Sequence, residues 1–70
     1  MRPDLIHLAV NGEPRDSHAE TLADLVAAEG FGDQRVATAL NGTFVPVRER
    51  GNVRLKSGDR IEIVSARQGG

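Results

Sequence analysis

The residues best placed to do chemistry are the last ten, Ile61-Glu62-Ile63-Val64-Ser65-Ala66-Arg67-Gln68-Gly69-Gly70, where a strand-like stretch runs into a glycine pair. Ile61 and Ile63 share one face under the strand period of two, and Glu62, Val64 and Ala66 share the other, so one face can be core and the other surface. Gly69 and Gly70 carry no Cβ, and backbone of that kind threads where any side chain would collide. What such a tail presents last is the α-carboxylate of Gly70. A frayed end is the plainer account of two terminal glycines. With glycine at about 7% of average composition, such a pair arises by chance in roughly one chain in two hundred. It acquires meaning only if the preceding residues build a body that holds the tail out in a fixed direction.

The other candidates for chemistry are thin. His7 and His18 lie far apart in sequence without further ligands at metal spacing, and both are expected to be structural or surface residues. Ser17, Ser57 and Ser65 have no evident base. Asp59, following Gly58, is expected to bond backbone within its own turn rather than to act as an acid. No Gly-rich loop followed by Lys and Ser or Thr is present to cradle ATP. The chain has no cysteine, which excludes disulfides, cysteine-ligated zinc and iron–sulfur clusters, so any sulfur it handles must be held elsewhere.

Seventy residues make one domain, near the lower limit at which a core supports itself without a metal, disulfide or partner. Met1-Arg2-Pro3-Asp4 lacks the apolar run of a signal peptide and no segment is long enough to cross a bilayer, so a cytoplasmic protein without membrane contact is expected. The net charge of −1 argues against a nucleic-acid binder, and two Phe with no Trp or Tyr leave few platforms for stacking bases. Charge is unevenly spread: residues 1–46 hold three Arg against seven acidic residues, and residues 47–70 hold six Arg and Lys against three. The basic part bears the tail, consistent with a solvated surface or with steering of a partner.

The elements that must position this tail follow from the patterning. Leu5 to Val10 alternates as a strand, with Ile6, Leu8 and Val10 on one side, and Asn11-Gly12 supplies a hairpin turn whose two positions accept positive φ. Glu13 to Ser17 then returns as a polar edge strand marked by Pro14. Thr21-Leu22-Ala23-Asp24 resembles a capping box, Leu22, Leu25 and Val26 form one apolar stripe, and Gly30 can end the helix. After a loop from Phe31 to Arg35, Val36 to Leu40 reads as a strand that a second Asn-Gly, Asn41-Gly42, folds back into Thr43-Phe44-Val45. Pro46 interrupts that strand, and Val47 to Asn52 reads as a surface loop. Val53 and Leu55 suggest a brief strand or turn, and Lys56-Ser57-Gly58-Asp59 feeds the final strand near Arg60.

Strand, strand, helix, strand, short strand, final strand is the order of a β-grasp: an α+β, ubiquitin-like fold with a mixed sheet of four to five strands and one main helix. The first and last strands can pair in its centre. The expected inner layer is Ile6, Leu8, Val10, Leu22, Leu25, Val26, Leu40, Ile61 and Ile63. The expected organisation is a single domain over residues 1–68 and a flexible tail at 69–70.

Through Val10-Asn11-Gly12, Leu40-Asn41-Gly42-Thr43-Phe44-Val45-Pro46, and Gly58-Asp59-Arg60-Ile61-Glu62-Ile63-Val64 with terminal Gly69-Gly70, the chain resembles the ThiS family of sulfur carriers in thiamine biosynthesis. It departs from the family pattern at Val47, where Arg is usual, and at Arg50, where an aromatic is frequent. The resemblance implies a protein co-substrate rather than an enzyme. A ThiF/MoeB-type, E1-like adenylating enzyme would use ATP and Mg²⁺ to activate Gly70, a donor such as a cysteine desulfurase would supply sulfur, and thiazole synthase (ThiG) would accept it from a terminal thiocarboxylate. The chain itself would bind no cofactor. Gly69 and Gln68 would thread the partner's channel, and Val64, Ala66, Arg67, Phe44 and Val45 would form the partner-binding patch. Two alternatives stand beside this one: a MoaD-type carrier for molybdopterin synthase, which ends in the same way, and a β-grasp interaction or RNA-binding module whose glycines are incidental.

Overall fold

Two Asn-Gly turns set the register of the sheet. Asn11 and Gly12 take φ of 53° and 82°, and Asn41 and Gly42 take 51° and 88°, so each pair closes a hairpin whose twist matches its strands. In the computed structural model, residues 4–31 and 35–65 are described. β1 (Ile6–Val10) pairs antiparallel with β2 (Glu13–Ser17), and β3 (Val36–Leu40) with β4 (Thr43–Val45). β5 (Arg60–Ser65) lies between the hairpins, parallel to β1 and antiparallel to β3, and the order across the sheet is β2-β1-β5-β3-β4. The first and last strands thus meet in the centre, as the element order predicts.

One helix, α1 (Leu22–Ala28), covers one face of this sheet. Thr21 and Asp24 form the reciprocal capping box: Asp24 N–H donates to Thr21 Oγ1 and Thr21 N–H to Asp24 Oδ2, each at 3.2 Å. At the other end Gly30 takes φ 92°, Gly30 N–H donates to the Ala27 carbonyl, and Phe31 N–H reaches the Val26 carbonyl, which together satisfy carbonyls that the last turn leaves open. Leu22 and Leu25 are completely buried, beside Val26, against Leu8, Val10, Val36, Val45, Ile61 and Ile63. Truncating either leucine to alanine would cost about 2–5 kcal/mol, a large part of what so small a domain has.

Compared with the expected inner layer, Ile6 and Leu40 are only partly buried, while Val36 and Val45 belong to the core. Residues 47–52, expected as a surface loop, form a 3-10 helix, Val47–Asn52, and Arg50 within it is buried. The Val53–Leu55 segment makes a single bridge, Thr21 to Arg54, flanked by Leu22 N–H to the Val53 carbonyl and Leu55 N–H to the Glu20 carbonyl, at 3.0 Å each. That bridge fastens the start of the helix to the approach of β5.

Candidate functional site

The proposed reactive end, Gly69 and Gly70, and the residues that lead to it, Ala66, Arg67 and Gln68, lie outside the described residues. What is described is the strand from which they continue and the surface beside it. β5 is the central strand, and its alternation buries Ile61 and Ile63 under the helix and turns Glu62 and Val64 to the opposite, uncovered face of the sheet. Val64 is 59% exposed.

Register carries that uncovered face outward. Val64 lies opposite Ala37 of β3, and Ala39, two residues on and so on the same face, lies opposite Phe44 of β4. Phe44 is 64% exposed. Two large apolar side chains therefore stand on either side of a strand that offers only alanines between them. Small residues there leave the phenyl ring and the valine standing out on a face they share with Glu62, which lies across Ala39 from Phe44.

Val45 does not join them. It is 7% exposed, on the helix side of the sheet, opposite the more deeply buried Thr38. The patch is corrected accordingly: Val45 is a core residue, and Phe44 and Val64 are the exposed members. The physical reason is the two-residue turn at Asn41-Gly42, which sets Leu40 against Thr43 and so fixes Phe44 outward and Val45 inward. That register was available in the sequence to anyone who counted outward from the turn.

The start of β5 is held by a polar cluster. Asp59, 3% exposed, accepts from Lys56 N–H at 2.9 Å through Oδ2, and from Asn41 Nδ2 at 3.1 Å and Lys56 Nζ at 3.4 Å through Oδ1. Burial pushes its carboxyl upward and is the largest single influence. The Lys56 backbone N–H, the Asn41 amide and the Lys56 ammonium together outweigh it and hold the group below the usual carboxylate value. Asp59 is thus a turn-organising anion, as its place after Gly58 predicts. Gly58 N–H donates to the His7 carbonyl at 2.9 Å and His7 N–H to Ser57 Oγ at 3.1 Å, which docks this turn onto β1. The His7 ring contacts Asp16 Oδ1 through Nδ1 at 2.6 Å on the exposed sheet surface. Ser17 Oγ accepts from Ala19 N–H. Among the described residues, no three His, Asp or Glu side chains converge as a metal site would require.

Arg50 is the residue that reasoning from sequence missed. Its side chain enters the protein and donates from Nη2 to the Val36 carbonyl and from Nε to Thr38 Oγ1. A charged residue in a stretch rich in charge and glycine gives no sign of burial.

A mixed five-stranded sheet in the order β2-β1-β5-β3-β4, with one helix across one face and the C-terminal stretch issuing from the central strand, defines a ubiquitin-like β-grasp protein. The model of the ThiS family matches residues 8–70, and the chain belongs to that family. The crystal structure of a thiamine biosynthesis protein (ThiS) from Geobacter metallireducens superposes with a TM-score of 0.75 at 28% identity, covering 93% of this chain and all of that one. No curated protein matches it.

Proposed function

We propose that this chain is the sulfur carrier of thiamine biosynthesis, with Gly70 as the residue that carries the sulfur. The observation that supports this most is the family match, which runs from β1 through Gly70. A carboxylate is a poor electrophile, because attack adds charge to an anion and must expel oxide. In the proposed cycle a ThiF/MoeB-type adenylating enzyme supplies ATP and Mg²⁺. The Gly70 carboxylate attacks the α-phosphorus, pyrophosphate leaves, and the resulting acyl-adenylate has a stabilised leaving group. The persulfide of a donor such as a cysteine desulfurase then attacks the acyl carbon and expels AMP, giving an acyl disulfide. A second thiol of a partner attacks the donor's sulfur, forms a disulfide with it and releases the Gly70 thiocarboxylate that thiazole synthase consumes.

In this reading the chain is a substrate of its partners. The domain over residues 1–68 is what the partner recognises, its last residue Gln68 passes with Gly69 through the narrow part of the partner's site, and Phe44 and Val64, with Ala66 and Arg67 beyond them, form the docking surface. Exposed apolar side chains on the final strand and on β4, two strands away, support that assignment, since a partner that grips the tail must also grip the body beside it.

The test is a mass measurement on the intact chain incubated with the adenylating enzyme, ATP, Mg²⁺ and a sulfur source. The expected gain is the difference between one sulfur and one oxygen atom, placed by fragmentation on Gly69-Gly70 and absent without ATP. With no cysteine in the chain, no persulfide can mimic the product, and Met1, the one methionine, gains oxygen without exchanging it for sulfur. Modification by a molybdopterin-type activating enzyme but not a thiamine-type one would move the chain to the other pathway. No modification by either would remove the carrier reading.

A further inference from the structure

The two neighbours of β5 accompany it for different distances. β3 follows it to Ser65, which lies opposite Val36. β1 pairs with it only at Arg60 and Ile61, through Ala9 and Val10, before Asn11 turns the chain away toward β2. At that point the Asn11 side chain takes over from the backbone. Asn11 N–H still donates to the Ile61 carbonyl at 2.8 Å; its Nδ2 then donates to the Ile63 carbonyl at 3.1 Å, and its Oδ1 accepts from Ile63 N–H at 2.8 Å. A carboxamide offers one acceptor and a donor in one plane, as a strand residue does, so it extends the β1–β5 ladder by one further pair.

We propose that Asn11 is a positioning residue which fixes the course of β5 at its C-terminal end, and with it the direction from which residues 66–70 continue. The proposal about the reaction rests on the carrier reading: Asn11 helps to present the Gly70 carboxylate to the adenylating enzyme. Without its amide, β5 beyond Ile61 keeps β3 as its only paired strand. A reacting group that continues from a strand depends on where that strand ends, and misplacement near 1 Å costs about a hundredfold in rate.

The αL conformation alone would explain an asparagine here, since a type I′ turn needs positive φ. Glycine meets that need equally well, so Asn11→Gly keeps the turn and deletes only the amide. Asn41 provides an internal comparison. It has the same residue type and the same turn, and its Oδ1 accepts from Arg60 N–H at 2.8 Å, but it acts at the start of β5 rather than at the end.

The experiment uses the whole chain and the variants Asn11→Gly, Asn11→Asp and Asn41→Gly, with two readouts: amide exchange at Ile61, Ile63 and Val64 by NMR, and ATP–pyrophosphate exchange with the adenylating enzyme. In Asn11→Gly, Ile63 is expected to lose protection relative to Ile61, and kcat to fall about tenfold, with any rise in KM reflecting the shift of Val64 at the same end of β5. Asn11→Asp keeps the acceptor for Ile63 N–H and is expected between wild type and Asn11→Gly. Asn41→Gly is expected to lower stability and leave kcat at the wild-type value. Unchanged Ile63 exchange or unchanged kcat in folded Asn11→Gly would overturn the proposal, as would equal losses of kcat in both glycine variants. If the wild-type chain itself is not adenylated, the carrier reading falls. Exchange at Ile63 and Val64 then still decides whether Asn11 directs β5.

Discussion

Arg50 donates from Nη2 to the carbonyl oxygen of Val36 at 2.6 Å, on the edge of β3 that β4 no longer reaches. β4 stops at Val45, and Pro46 has no N–H to continue the ladder, so Val36 lies beyond the β3–β4 pairing. The guanidinium supplies the missing donor. Its Nε also donates to Thr38 Oγ1 at 3.0 Å, and that hydroxyl donates onward to the Val45 carbonyl at 2.9 Å, so one side chain ties the 3-10 helix to both strands of the hairpin. Because Val36 is also the partner of Ser65, the same contact steadies the end of β5 from the side opposite Asn11.

Removing this cation therefore costs stability. Arg50→Ala leaves a buried carbonyl and a hydroxyl short of a partner, and is expected to lower the unfolding free energy by about 2–4 kcal/mol. Arg50→Lys recovers only part, since an ammonium cannot make the planar fork. Urea titration followed by far-UV circular dichroism measures both; a loss under half a kcal/mol for Arg50→Ala would mean that the fork contributes little.

Asp59 gives stability a dependence on acid. Its folded pKa is depressed below the unfolded value, so its contribution is fully present above the unfolded value and is lost as pH falls through the folded one. Wild type should lose melting temperature in the acid range below the usual carboxylate value. Asp59→Asn should be less stable at neutral pH by about 1–3 kcal/mol, and the gap should narrow as the wild-type carboxyl is protonated. A gap that stays constant down to strongly acid pH would dissociate Asp59 from the acid response.

The two sides of β4 predict opposite phenotypes for adjacent residues. Val45→Asp places an unpaired charge in the core and is expected to prevent folding, whereas Phe44→Asp and Val64→Asp stay within about 0.5 kcal/mol of wild type. The two surface variants should nevertheless bind the adenylating enzyme at least tenfold more weakly, as apolar anchors do when charged (about 1.4 kcal/mol or more). Isothermal titration calorimetry beside thermal melts separates these effects, and wild-type binding by both surface variants would discard the patch.

Tail length should matter to the reaction without affecting the fold. Deleting Gly70 or adding one residue after it moves the reacting carbon relative to the partner's site, and pyrophosphate exchange is expected to fall by about a hundredfold or more. Replacing Gly69 with a bulky residue should slow the same step by steric exclusion. Melting temperatures should remain those of wild type, because among the described residues the buried core is complete between Leu8 and Ile63. Equal exchange rates across the series would remove the carboxylate from the mechanism.

Much of this protein is local, and local features are legible in sequence. The two Asn-Gly turns, the Thr21–Asp24 capping box, the helix stop at Gly30 and the alternation of β1 and β5 each depend on residues within a few positions of one another, and the element order they generate admits the β-grasp. The glycine pair is read the same way, as is the resemblance that gives it meaning. What the tertiary structure alone decided is non-local. Arg50 is buried because strand β4 ends early and leaves a carbonyl fourteen residues away without a donor, a circumstance that no pattern within Val47–Asn52 encodes. Asn11 was legible as a turn residue, but its hold on Ile63 joins positions 52 residues apart and exists only because β1 and β5 lie parallel and side by side. Propensity fixes how a residue bends its own backbone; which distant backbone its side chain completes is settled only when the strands have met.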